Sequence, residues 1–245
     1  MKKTVILSTN DNPDYLLYMP YTIWAWNKLG WDTVTFYLGD EDKIEKDKID
    51  LSKNKIVVLN KIDDYRDATI VQVSRLFGAM ISDNDSDLLM TGDIDMIPLS
   101  DYWNPNENDI TVYGWDLTGK SQFPICYISM NRKRWIEIMG LDLNDSVDNQ
   151  IKIMLDKSPN PKSDDFEKWW SYDQQYITEK LLPQNRVHID RGFDGILAKG
   201  RADRYDWEGT KNKPNLIDAH LPRPFNLDAI NYILLNSFRE LPCYE

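Results

Sequence analysis

The segment Asp87-Leu88-Leu89-Met90-Thr91-Gly92-Asp93-Ile94-Asp95-Met96-Ile97-Pro98-Leu99 is an apolar run that ends in two carboxylates spaced one residue apart. A strand here would project Asp93 and Asp95 to the same side, because side chains alternate faces, and Gly92 would let the backbone approach a ligand closely. Like charges at adjacent same-face positions are unfavourable without a cation, a proton or abundant water. A hard divalent ion with oxygen ligands compensates both at once. The pair therefore reads as a metal site. Asp-x-Asp also recurs by composition alone: the chain has 40 acidic residues and repeats the pattern at Asp83-Asn84-Asp85 and Asp85-Ser86-Asp87. What sets Asp93 and Asp95 apart is the apolar strand before them and Met96-Ile97-Pro98-Leu99 after.

The 245 residues suffice for one large α/β domain or two small ones, with a core that needs no disulfides. A formal charge of −11 argues against a nucleic-acid-binding surface and against docking on anionic lipid by general electrostatics. Any phosphate ligand must then be bound locally. The first apolar run, from Thr4 to Ser8, is too short for a signal peptide or a membrane span and reads as the first strand, so no stable membrane insertion is expected. Cys126 and Cys243 suggest neither a disulfide framework nor a zinc site, and both are expected as reduced thiols in a cytoplasmic protein.

The elements that must position the carboxylates alternate between strand and helix through the first half, the pattern of a parallel sheet flanked by helices. Asn10-Asp11-Asn12-Pro13 offers an Asx cap and a first-turn proline; Leu16, Ile23 and Trp24 follow at helical spacing as far as Gly30, with Pro20 expected to kink or divide the helix. Val34, Phe36 and Leu38 alternate with Thr33, Thr35 and Tyr37 in a second strand, and residues 55–59 form a third. The charged run 40–48 between them is expected as a solvated loop or helix face. Asp67 is placed to cap a helix with Ile70, Val73, Phe77 and Met80 on one face, on which Arg75 would lie opposite, toward solvent. Further strands are expected at 110–113 and 124–130, a helix at 132–139 closed by Gly140, a turn-rich loop at 158–165, and a closing helix at 228–238 with Ile230, Ile233 and Leu234 inward. His188, between Val187 and Ile189, fits a strand position without a role. There is no internal repeat and no low-complexity segment.

Ser74-Arg75-Leu76-Phe77-Gly78-Ala79-Met80-Ile81, the Asp93-Ile94-Asp95 block and Asp101-Tyr102-Trp103 together resemble the central block of metal-dependent nucleotide-sugar glycosyltransferases of the GT-A fold. Tyr172-Asp173-Gln174-Gln175-Tyr176 resembles the Asp-Gln element lining their sugar pocket. Asp218-Ala219-His220-Leu221-Pro222-Arg223-Pro224 resembles the late His that completes the metal shell, with a base nearby for phosphate. The likeness runs from Ile6 to Arg223, and the opening Ser8-Thr9-Asn10-Asp11 is similar to the capsid-glycan transferases of large algal viruses. One departure is plain: several related retaining families carry His-x-x-Gly-x-x-Lys-Pro near the end, whereas here Arg223 stands for the Lys at a shorter spacing.

The resemblance implies a single GT-A domain, Rossmann-like with a mostly parallel sheet flanked by helices, divided into a nucleotide-binding half at 1–100 and a donor-sugar and acceptor half at 101–245. It implies a hexosyl- or pentosyltransferase that moves sugar from a UDP-linked donor to a hydroxyl of a glycan or glycoprotein. Mn²⁺ or Mg²⁺ on Asp93, Asp95 and His220 would act as a Lewis acid on the departing diphosphate, with Arg223 as a second cation. Arg75, Asp93 and the loop Thr9-Asn10-Asp11 are expected at the donor, since ligands bind at the carboxyl ends of parallel strands. Asp173 is a base for the acceptor hydroxyl if the reaction inverts, or a donor-sugar ligand with Gln174 if it retains, and the order of the blocks favours retention. Trp115, Trp169, Trp170 and Tyr172 are candidates to stack on acceptor sugar. A haloacid-dehalogenase-type phosphatase also uses Asp-x-Asp after a strand, though near its N-terminus, and a non-catalytic carbohydrate-binding protein would also explain the tryptophans.

Overall fold

The computed structural model describes residues 1–103, 105, 110–114, 122–190 and 200–242. Its centre is a seven-stranded sheet of β1 (Lys3–Asn10), β2 (Asp32–Leu38), β3 (Asn54–Val58), β4 (Leu88–Thr91), β6 (Ile110–Tyr113), β7 (Ile128–Asn131) and β8 (Val187–Asp190), in the order β3-β2-β1-β4-β7-β6-β8. Only β7 runs against the others; it pairs antiparallel with both β4 and β6. A second, small sheet joins β5 (Met96–Pro98), β10 (Asp218–His220) and β9 (Arg201–Ala202), with β10 in the middle. The large sheet draws strands from both sides of position 100.

β1 is apolar on both faces because both are covered, as for a central parallel strand. Ile6 points into one core layer with Ile70, Val73 and Phe77 of α3 (Asp67–Ser74) and its 3₁₀ continuation Arg75–Met80. Val5 and Leu7 point into the other, against Ile23 and Trp26 of α2 (Met19–Lys28). Pro20 does divide the first helical segment: α1 (Pro13–Leu16) is capped by Asn12, and Pro20 falls in the first turn of α2, where its missing N–H costs nothing. Helices α4 (Arg132–Met139), α5 (Val147–Asp156), α6 (Phe166–Trp170) and α7 (Tyr172–Leu181) follow. α4, α5 and α7 bury Trp135, Ile151 and Ile177 on the α3 side of the sheet. After α8 (Trp207–Thr210), α9 (Leu227–Phe238) seats Ile230, Ile233 and Leu234 against Leu221, Ala219 and Ile97 of the small sheet. Among the described residues no helix is long and apolar enough to cross a membrane.

Three local expectations need correction. Asp67 does not cap α3; Arg66 holds the N-cap position without a side-chain bond. Residues 125–127 form a 3₁₀ turn, so β7 starts only at Ile128. Asp93 and Asp95 are not on a strand: β4 stops at Thr91, where Gly92 N–H donates to Ile6 O at 2.9 Å, and the two acids occupy the turn into β5. Gly92 is needed there, since a Cβ would sit 2.8 Å from Val5 Cγ1 and 2.9 Å from Leu7 Cδ2. The run 40–48 winds into two 3₁₀ turns, Glu41–Lys43 and Lys46–Lys48, each followed by a buried isoleucine, Ile44 and Ile49.

Candidate active site

β1 continues to Asn10, past the point where β4 leaves it, so Ser8, Thr9 and Asn10 form one wall of an open cleft at the carboxyl ends of the parallel strands. The cleft is about 700 Å³ and is also lined by Arg75, Asp93, Asp95, Asp173 and His220. That volume lies within the roughly 300–1,000 Å³ typical of small-molecule sites.

Arg75 ties the first carboxylate to α7. Its guanidinium pairs with Asp93, donates to Gly92 O at 3.2 Å, and bonds Asp173 Oδ2 at 2.9 Å. Arg75 is 6 % exposed, not solvent-facing. The helical wheel misplaces it because α3 packs on β1 and β2 along one side and on α6 and α7 along the other, so neither side faces water. Asp173 is 2 % exposed and its other oxygen accepts from Gln174 N–H at 2.8 Å. Burial pushes its carboxyl upward, against the opposing pull of Arg75.

Asp95 is buried at the opposite side of the turn and meets a different set of cations. Its Oδ2 pairs with Arg204, accepts from Arg223 Nη2 at 2.7 Å, and lies 3.9 Å from His220 Nε2. Burial raises the carboxyl, but Arg204, His220 and Arg223 together hold it well below the usual carboxylate range. Burial, with Arg204, Arg201 and Arg223 nearby, pushes the His220 imidazole down to about 3 against the pull of Asp95, so it stays neutral and able to ligate. The backbone brings Asp95 and His220 together: β10 pairs with β5 so that His220 faces Met96, and Leu221 N–H donates to Asp95 O at 2.9 Å. Beneath them Arg201 grips Asp218 with two bonds of 2.9 and 2.7 Å, and Tyr127 OH donates to the same carboxylate at 3.0 Å.

Set against solved structures, the chain superposes along 98 % of its length on the galactosyltransferase LgtC in complex with donor and acceptor sugar analogues, covering 97 % of that chain at a TM-score of 0.54 and 13 % identity. It likewise matches a glycosyltransferase involved in glycosylation of the major capsid of PBCV-1, over 96 % of this chain and 100 % of that one, at a TM-score of 0.51 and 9 % identity. This chain has the GT-A fold. No protein-family model matches it, and no curated protein matches its sequence. The two structural matches lend no support to the phosphatase reading or to the non-catalytic one.

On this GT-A frame Thr9, Asn10, Arg75, Asp93, Asp95, Asp173, Gln174, Trp170, His220 and Arg223 all line the one cleft. Asp11 does not. Its carboxylate accepts from Tyr37 OH, from Asp40 N–H at 3.2 Å and from Lys43 Nζ at 2.7 Å, which fixes the loop after β2. Trp169 turns out of the cleft beneath Arg66, 4.9 Å from its ring, and Tyr172 is buried with its OH on Met154 O at 3.1 Å. Trp115 and Cys243 lie outside the described residues. Cys126 is a buried free thiol.

Sequence reasoning missed Arg201, Arg204, Tyr205, Tyr15 and Phe166, all of which line the cleft. Arg201-Ala202-Asp203-Arg204 belongs to no motif, and nothing in its spacing separates it from the other basic residues of the chain. Phe166 and Tyr205 carry the signal of aromatic residues that stay exposed, at 56 % and 84 %, a property visible only in the fold. Arg223 lies 4.1 Å from the Tyr15 ring, a cation–π contact at the cleft wall.

The donor types suit a hard to borderline divalent ion: two carboxylates and a neutral imidazole, with His220 Nε2 3.9 Å from Asp95 Oδ2. Among the described residues no three His, Cys, Asp or Glu side chains are placed to hold a metal ion together. Asp93 leans to Arg75, and the arginines stand at Asp95.

Proposed function

We propose that this protein is a glycosyltransferase that moves a sugar from a nucleoside-diphosphate sugar, a UDP-sugar in the first instance, to a hydroxyl of a glycan acceptor with retention at the anomeric carbon. The observation that carries the reading is one cleft at the strand ends in which Asp95 stands among Arg204, Arg223 and His220 at one side, while Arg75 joins Asp93 to Asp173, next to Gln174, at the other. An acid pair among cations suits a diphosphate, and the second carboxylate–amide pair suits the hydroxyls of its sugar.

In this proposal Thr9, Asn10 and Tyr15 hold the nucleoside along the β1 wall, and Arg223 offers a cation to the phosphates. Asp93, Asp95 and His220 would hold Mn²⁺ or Mg²⁺, which when bound supplies Lewis-acid stabilisation of the leaving diphosphate. Asp173 is given a positioning role at the donor sugar. One of its oxygens is taken by Arg75 and the other by Gln174 N–H, so it is poorly placed to strip a proton from an acceptor. Phe166 and Trp170, stacked at 5.3 Å and 16°, form the apolar floor proposed for the acceptor ring.

The test is a screen of nucleotide sugars for slow hydrolysis with and without Mn²⁺, followed by NMR of the released or transferred sugar. Metal-dependent release of one nucleoside diphosphate with the donor's anomeric configuration retained is expected. An inverted product would reassign Asp173 as the base, and failure of every nucleotide sugar to bind would overturn the proposal.

A further inference from the structure

Resting on that functional reading, we propose that Arg204 and Arg223 are a gate on the metal site: they neutralise Asp95 in the free protein, weakening its hold on a divalent ion, and release it when they transfer to the donor diphosphate. Neither arginine is at an arbitrary surface position. Arg204 is 7 % exposed along its side chain, pairs with Asp95 Oδ2, and its buried Nε has no hydrogen-bond partner. Its guanidinium is therefore held through Nη2 while Nε is left unsatisfied, in a residue that lines the cleft. An acceptor oxygen brought in by a ligand would complete it, and a phosphate offers several.

Charge counting gives the coupling. The ion-paired network around the cleft holds three carboxylates, Asp93, Asp95 and Asp173, against three guanidiniums, Arg75, Arg204 and Arg223. It is balanced when empty. A divalent ion alone would leave two uncompensated positive charges next to two guanidiniums, and a sugar diphosphate alone would leave one negative charge for each of its two phosphates. Both together restore balance, with Asp95 and His220 turned to the ion and the two arginines turned to the phosphates. Each ligand thus raises the affinity for the other, and the arginines carry the coupling.

The gate is read by binding, without turnover. Free Mn²⁺ is followed by the EPR signal of its aqua ion during titration of wild type, Arg204→Gln, Arg223→Gln and, as a control for loss of a distant cation, Lys61→Gln. Without nucleotide, Arg204→Gln is expected to bind Mn²⁺ roughly tenfold or more tightly than wild type, within the range of about 5–150-fold usual for coupled sites. Arg223→Gln should shift the same way and Lys61→Gln should not. With Mn²⁺ saturating, UDP should bind Arg204→Gln more weakly than wild type, so one substitution moves the two affinities in opposite directions.

If both cleft variants bind the bare ion no tighter than wild type, or no tighter than Lys61→Gln, the gate is overturned. Tighter Mn²⁺ with unchanged UDP affinity overturns the transfer of Arg204 to the diphosphate. The bare-ion titration contains no nucleotide, so it stands apart from a failure of the glycosyltransferase reading, which would show as no UDP binding by any of the proteins. Arg223 is one-third exposed, so its variant reads the gate even if Arg204→Gln does not fold.

Discussion

Replacing Arg75 with Met removes a guanidinium paired with a carboxylate, that of Asp173, that is almost fully buried. Asp93 is 29 % exposed along its side chain and can turn to water, so its loss of a partner costs little. Asp173 cannot, since it is buried on α7. Breaking a buried pair by deleting one partner costs about 3–5 kcal/mol, and for a chain of this size each kcal/mol lowers Tm by about 2–4 °C, so a fall of roughly 6–20 °C is expected. The pH dependence has a definite sign. Burial already holds the Asp173 carboxyl above its ordinary value, and deleting Arg75, which pulls it down, raises it further. A carboxyl raised in the folded state keeps its proton after the unfolded chain has released its own; that contribution to stability is present at acid pH and is lost as pH rises through the folded value. The deficit of Arg75→Met against wild type should therefore be smallest near pH 4 and widen toward pH 7. Melting followed by circular dichroism across that range reads it, and adding Asp173→Asn should recover most of the loss at pH 7 in a double-mutant cycle. A variant that melts within a degree or two of wild type at pH 7, or whose deficit shrinks as pH rises, refutes the reasoning.

Asp95→Asn keeps the shape of the side chain but not its charge, and titration calorimetry should show Mn²⁺-dependent UDP affinity falling by at least the roughly 10–100-fold that even outer-sphere partners of a metal contribute. Phe166→Ala and Trp170→Ala should raise KM for a glycan acceptor while leaving donor hydrolysis near wild type, because the stacked pair offers an apolar face for a sugar ring and no charge for a diphosphate; an equal loss in both assays would remove the acceptor assignment. Gly78→Ala would drive a methyl group into the Ile6 side chain in the core and should cost about 1–3 kcal/mol, read as a lower Tm and partly relieved by Ile6→Val.

The sequence carried the first half of the fold well because its signals are local. Apolar alternation in β2, the Asn12 cap with Pro13, and Gly140 at φ 65° closing α4 each declare an element from a few neighbouring residues. Asp93, Asp95, Asp173 and His220 were findable because their blocks occur in a familiar order. What was not legible depends on what packs against what. Arg75 was expected at the donor from its block while a helical wheel set it toward solvent, because a wheel allows only one covered side. Asp11 looked like a ligand residue, yet it serves Tyr37, Asp40 and Lys43 on the next loop. Arg204 reaches Asp95 across 109 positions of chain, and no short-range pattern marks such a partner.

The small sheet has a consequence for the order in which this molecule is made. Pairings of β1 with β2 and β4 all lie within the first 91 residues, but Asp95 is joined to Leu221 and Met96 to His220 only after more than half the chain has followed. At about 5–20 residues per second of synthesis, the delay between the two is roughly 6–25 s. Closing so long a loop comes late in folding as well, since its entropy must be met before the contact returns anything. A nascent chain can therefore hold a formed β1–β4 layer while Asp95 still lacks His220, Arg204 and Arg223, and its carboxylate spends that interval in water.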